Sequence, residues 1–79
     1  MNPRVKSVIP KDGYLLELVF ENGQKGLYDV SKLLNFPVFR PLKDRTYFQQ
    51  VRPMFGSVAW PEGQDICPDT LYEDSIKQD

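Results

Sequence analysis

Apolar side chains recur at every second position through YLLELVF, residues 14–20, which puts Tyr14, Leu16, Leu18 and Phe20 on one side of an extended segment. Asn22-Gly23 follows, a dipeptide that accommodates the two positive φ angles of a type I′ turn. A two-residue loop there predicts a hairpin into QKGLYDV, residues 24–30, and fixes its register. Phe20 then faces Lys25, Val19 faces Gly26, Leu18 faces Leu27 and Glu17 faces Tyr28. One face of the hairpin carries Leu16, Leu18, Phe20 and Leu27 and is the expected core face. The other carries Leu15, Val19, Tyr28 and Val30 around Glu17, and it too is apolar enough to want cover. Gly26 leaves room for a ring from elsewhere to approach the sheet. Upstream, RVKSVIP (4–10) alternates loosely and ends at Pro10, a further strand, with the turn KDG at 11–13 between the two.

The pattern then changes. SKLLNFPVFRPLK (31–43) is apolar, but Pro37 and Pro41 exclude a long helix. Ser31 is placed to cap a single turn through Leu34, and Phe36, Val38, Phe39 and Leu42 are expected to cross one end of the sheet as a packed loop. Asp44 is a natural N-cap for a short helix in DRTYFQQ (44–50), with Phe48 and Val51 facing inward. A second hairpin is expected from a strand near 50–53, a turn through PMFG and SVAW at 57–60. PEGQD has turn chemistry throughout. PDTLYEDSIK (68–77) reads as a last helix, with Pro68 at its first position and Asp69 and Glu73 on the side the helix dipole favours. The expected architecture is a single α+β domain over 1–79, a small antiparallel sheet from two hairpins in the order β-β-β-α-β-β-α, with short helices and one packed loop.

Composition narrows the class. Seventy-nine residues make one domain with a small core, and 41% hydrophobic and 13% aromatic content fits a globular chain. A single cysteine forbids a disulfide framework and fits a reducing compartment. The start, MNPRVKSVIPK, has no apolar segment of signal-peptide length, and YLLELVF is far too short to cross a bilayer. A cytoplasmic location is expected. Net charge is −1, but residues 1–61 hold nine Lys/Arg against five Asp/Glu, and residues 62–79 hold one against six. The expected consequence is a solvated acidic tail over 74–79.

The chemistry is equally bounded. No histidine is present, which removes histidine-based triads, Cys–His pairs and the usual zinc sites. The five glycines lie singly in turns, so no phosphate-cradling loop exists. Cys67 is flanked by Asp65 and Asp69 and has no base, so it reads as a small packed residue. Asp29, Glu62, Asp65 and Asp69 are the candidate ligand or metal carboxylates. Their spacing is looser than that of a calcium loop, and Asp65 has a simpler task in closing an Asx-turn onto the Cys67 N–H. Neither a metal nor any other cofactor is expected. Trp60 reads as a core ring whose indole N–H finds a backbone carbonyl or a water. The alternative for Trp60, and for Tyr72, is an anchor in a partner interface, with Arg40 and Arg52 as surface companions. Arg40, Lys43, Arg45 and Arg52 surround Tyr47 and Phe48, a pattern that nucleic-acid binding uses only when the aromatics are exposed.

Taken together, Val5, Val8 and Pro10, the run Leu16, Leu18, Phe20, Asn22 and Gly23, then Tyr28-Asp29, the loop Pro37-Val38-Phe39 with Pro41-Leu42, Phe48 with Val51, and above all the closing WPEGQDICPDTLY resemble the small bacterial domain-of-unknown-function family 2442. The resemblance implies a compact α+β domain without an established biochemical activity. Some members continue into a helix-turn-helix domain, and others are encoded beside a second small protein, which suggests an antitoxin-like or partner-binding role. No appended DNA-binding domain is expected after the closing motif. The function expected is that of a non-enzymatic module that binds a protein partner or itself, in preference to nucleic acid, a membrane or a small-molecule substrate. A carboxylate-based ligand-binding domain and a nucleic-acid-associated regulator are the alternatives.

Overall fold

The computed structural model describes residues 2–78. Three strands open the chain: β1 (Val5–Lys11), β2 (Leu15–Phe20) and β3 (Lys25–Asp29). Two 3₁₀ segments, Ser31–Leu33 and Pro37–Lys43, lead to α1 (Arg45–Phe48). Then come β4 (Arg52–Met54), β5 (Ser57–Ala59), β6 (Asp65–Ile66), α2 (Pro68–Asp74) and β7 (Ile76–Gln78). The strands form two antiparallel sheets, ordered β1-β2-β3-β7 and β4-β5-β6. This is the expected α+β class, with two short strands, β6 and β7, added to it.

The β2–β3 register differs from the expected one by a single residue. Leu16 pairs with Tyr28, Glu17 with Leu27 and Leu18 with Gly26. The loop holds three residues, closed by Phe20 N–H donating to the Gln24 carbonyl and Gly23 N–H to the Phe20 carbonyl. Gly23 alone takes the left-handed conformation, at φ 88. A type I turn with one glycine in that position replaces the type I′ turn. Because side chains alternate, the slip exchanges faces. Tyr28 and Val30 join Leu16, Leu18 and Phe20 in the core, and Leu27 turns outward with Leu15 and Val19.

Gly26 therefore lies opposite Leu18, and a ring is not what comes nearest to it. The α2–β7 corner is: a Cβ on Gly26 would lie 2.8 Å from Ser75 Oγ and 3.5 Å from the Ile76 carbonyl oxygen. This close approach lets β7 pair with β3, Leu27 opposite Ile76. Residues 76–78, read in the sequence as part of a tail and of the last helix, thus form the fourth strand of the sheet, while Asp79 lies outside the described residues. Gly26→Val should detach β7 and lower stability by about 2 kcal/mol through overpacking. Urea denaturation checks this, with hydrogen exchange at residues 76–78 as the local readout.

The core lies between the inner face of the larger sheet and the smaller sheet with the two helices. Leu16, Leu18, Phe20, Val30, Leu42, Val58 and Leu71 are fully enclosed there. Asp44 caps α1 as expected, its carboxylate accepting the Thr46 N–H at 3.0 Å. Asp29, rather than Ser31, caps the turn at 31–33, accepting both the Ser31 N–H and its hydroxyl. In the proline-broken stretch Leu34 and Leu42 are buried and Phe39 packs against the core. Phe36 and Val38 point outward, because the 3₁₀ winding that Pro37 starts turns them away from the sheet.

Burial, and behind it the carboxylates of Asp74 and Asp29, raise the Tyr28 phenol above its ordinary value. A raised phenol contributes its full stability below the unfolded value near 10 and loses it as the pH climbs towards the folded value. Above about pH 10 the unfolding midpoint of the native chain should therefore fall more steeply than that of Tyr28→Phe. Parallel curves from urea melts at several alkaline pH values would show that the phenol gains nothing from the fold.

Candidate functional site

The second hairpin, like the Gly13-Tyr14 turn between β1 and β2, places two consecutive residues at positive φ. β4 and β5 pair Met54 with Ser57, which leaves a loop of Phe55 and Gly56, at φ 52 and φ 79. Both central residues are left-handed, so a type I′ turn sits here, whereas Asn22-Gly23 does not form one. Phenylalanine is a poor occupant of the first position: its Cβ meets the following carbonyl, at about 1–2 kcal/mol. Tyr14 is the other non-glycine residue with positive φ, at 60. Its strain is offset within the fold: its ring packs edge-on against Phe48 at 5.3 Å, and its hydroxyl donates to the Lys43 carbonyl. Phe55 has no such return, since it is 90% exposed.

The turn is nonetheless held firmly. Arg4 Nη1 donates to the Phe55 carbonyl at 2.9 Å, and Val5 N–H donates to the Gly56 carbonyl at 2.9 Å. The Arg4 side chain also fills the space where Gly56 would carry a Cβ. Beside Phe55 runs an open groove of about 360 Å³. Ser57 and Ala59 of β5 form its small-residue floor, Met54 and Phe55 one wall, and Cys67 and Pro68 the other. Asp65 also lines it and stands across Ala59 from Arg52 in the strand register.

This stretch is reached through a tightly bonded turn. Gly63 N–H donates to the Trp60 carbonyl and Trp60 N–H to the Gln64 carbonyl, both at 2.9 Å, with Gly63 at φ 99. The Tyr47 hydroxyl accepts the Glu62 N–H and donates to the buried Gln64 side chain. Trp60 itself is 1% exposed, and its indole N–H donates to the Phe48 carbonyl at 3.0 Å. It is closed to a partner. Tyr72 is half-buried, edge-on to Phe20 at 5.0 Å, with its hydroxyl donated to Gln24 and Lys77 over its ring. Its atoms are committed to closing α2 on the larger sheet. Arg40 and Arg52 are exposed, one on the proline-rich 3₁₀ segment and the other on β4.

The carboxylates do not form one site. Asp29 caps its own turn, Glu62 lies in the β5–β6 loop, Asp65 is extended in β6 without the expected Asx-turn, and Asp69 accepts from the Asn2 side chain at 3.2 Å. Among the described residues no group of three or more His, Cys, Asp or Glu is placed to hold a metal ion. Cys67 is exposed on the groove wall instead of packed, because α2 begins at the next residue and turns away from it. Among the basic residues, Arg45 is paired with Asp12, and Phe48 is in the core. No helix among the described residues is long and apolar enough to cross a membrane.

Sequence reasoning overlooked Phe55. The available signal was a bulky residue followed by glycine at the tip of a tight hairpin, where asparagine or aspartate is the usual first residue.

Comparison with known families gives the chain its place. The sequence model of one family, described as "Protein of unknown function (DUF2442)", matches residues 5–77, nearly the whole chain. The chain belongs to this family. No curated protein and no solved structure matches it. The match spans both sheets of this DUF2442 domain, from β1 into β7, so the Phe55 turn and its groove lie inside the family's own boundaries.

Proposed function

We propose that this DUF2442 domain acts without catalysis, by binding another protein, with Phe55 as its anchor and the neighbouring groove as the seat of an extended partner segment. The supporting observation is the ring itself, strained at φ 52 and 90% exposed on a turn that Arg4 holds rigid. Backbone strain that the fold does not offset collects at functional positions. A pre-ordered aromatic anchor loses little entropy on binding. The floor of Ser57 and Ala59 admits an apolar side chain, and Asp65 favours a lysine or arginine next to it. In this reading the domain works in the reducing cytoplasm of a bacterium, where a lone exposed thiol such as Cys67 persists.

Selection of displayed random peptides on the purified domain tests the proposal. The expected winners carry an apolar residue beside Lys or Arg, and their affinity for Phe55→Asn falls about tenfold or more, as for an interface hot spot. Absence of enrichment, or equal binding to the variant, would overturn it.

A further inference from the structure

The Phe55 groove and the proline-broken stretch 31–43 lie at opposite ends of β1. At the start of the strand, Val5 N–H donates to the Gly56 carbonyl and holds the Phe55 turn there. Past its far end, Val30 N–H donates to the Tyr14 carbonyl and the Tyr14 hydroxyl to the Lys43 carbonyl, which pins both ends of the stretch. β1 has seven residues, so the two places are about 20 Å apart. Within one copy the stretch does not reach the groove.

The two are complementary all the same. Phe36 is extended, at φ −78 and ψ 136, and 3₁₀ winding begins at Pro37. With three residues per turn, residues three apart share a side. Phe39 and Leu42 share the inner side, against the core. Val38 and Pro41 share a second side, Arg40 and Lys43 a third, and all four are exposed, as is Phe36. Residues 30–43 contain Lys32, Arg40 and Lys43 and no carboxylate. The groove is divided in the same way. Met54 and Phe55 make an apolar wall, and the charged residue on the opposite wall is Asp65. Arg52 stands two strands from Asp65 in the same row, about 10 Å away, which leaves the Asp65 wall open to a cation. Arg4 and Asp69 line a separate hollow beyond Pro68, where the Phe55 carbonyl engages the first and the Asn2 side chain the second. Among the described residues the ion pairs are Lys11–Glu17 and Arg45–Asp12, so Asp65, Arg40 and Lys43 meet no opposite charge in their own copy.

We infer, on the reading that the groove is a binding seat, that its occupant is the Phe36–Lys43 stretch of a second copy, docked head to tail. Phe36 and Val38 then lie along Met54 and Phe55 of the receiving copy, and Arg40 and Lys43 along its Asp65. Val38 with Arg40 supplies the apolar side chain beside a base that the groove favours. The contact joins two different patches, so each copy offers one groove and one stretch to seat. One short segment in one groove is smaller than a standard interface, and association is expected at about 100 μM.

Sedimentation equilibrium of the full chain, from about 1 μM to 1 mM, measures this. The expected result is an average mass that rises above that of the monomer. Val38→Asp in the seated stretch, and Phe55→Asn or Asp65→Lys in the groove, should each weaken association about tenfold or more. Mixed together, Val38→Asp and Phe55→Asn keep one intact contact between them and should form a heterodimer and nothing larger. All three positions are exposed, so the variants should fold, and circular dichroism verifies that. A native chain that stays monomeric while selected peptides still bind its groove would overturn this inference alone. A monomer that binds no peptide either would take the groove reading with it. Association indifferent to Val38→Asp or to Phe55→Asn, or variants that fail to complement each other on mixing, would also overturn the inference.

Discussion

Trp60→Ala should leave little folded protein at room temperature. The indole is enclosed by the core, tilted against Phe48 at 6.0 Å, and donates to the Phe48 carbonyl. Truncating a buried tryptophan typically removes about 3–5 kcal/mol. Here the lost donor also strands a buried carbonyl, worth a further 1–3 kcal/mol or so. Against that, a domain of this length holds about 4–12 kcal/mol in total. Trp60→Phe separates the two contributions, because it keeps most of the ring and loses only the donor and some volume. Urea denaturation should rank the native chain, then Trp60→Phe, then Trp60→Ala. If Trp60→Phe is as damaging as the alanine variant, the hydrogen bond dominates; if it is harmless, the Phe48 carbonyl has found another donor.

Phe55→Asn should do the opposite to stability. Asparagine tolerates the left-handed conformation that Phe55 holds at φ 52, and almost nothing of the phenyl ring is buried to be lost. The gain expected is about 1 kcal/mol, or a rise of several degrees in melting temperature for a domain of this size. A variant that is more stable and yet loses its partner is the signature of a residue kept for recognition. Differential scanning calorimetry reads the first half, and binding to selected peptides the second. A lower melting temperature would mean that the Phe55 ring supports the fold after all, and the case for an anchor would fail with it.

The sequence made the inner face of β2 plain because Leu16, Leu18 and Phe20 alternate without interruption. It misplaced Leu27 and Tyr28 because Asn22-Gly23 serves two loops equally well, one of two residues and one of three. The choice between them is made by the core, which takes Tyr28 and Val30 together and has no use for Leu27. β7 was hidden for a related reason. Ser75-Ile76-Lys77 has no pattern of its own, and its strand exists because β3 offers an open edge and Gly26 allows a close approach. The buried role of Trp60 was legible from its neighbours. The Phe55 site was not, since exposure and a positive φ are properties of the folded turn that alternation does not encode.

The pairing of β7 with β3 also sets an order of events during synthesis. β1, β2 and β3 leave the ribosome first and can form a meander by local contacts alone. The outer edge of β3 then waits, hydrogen-bonding groups unmet, until residues 76–78 follow some fifty positions later. For that interval the nascent chain presents an adhesive border to its neighbours on the same polysome. Slow translation between β3 and β7 would lengthen the exposure, so the yield of native protein in cells should depend on the speed at which the codons up to residue 78 are read.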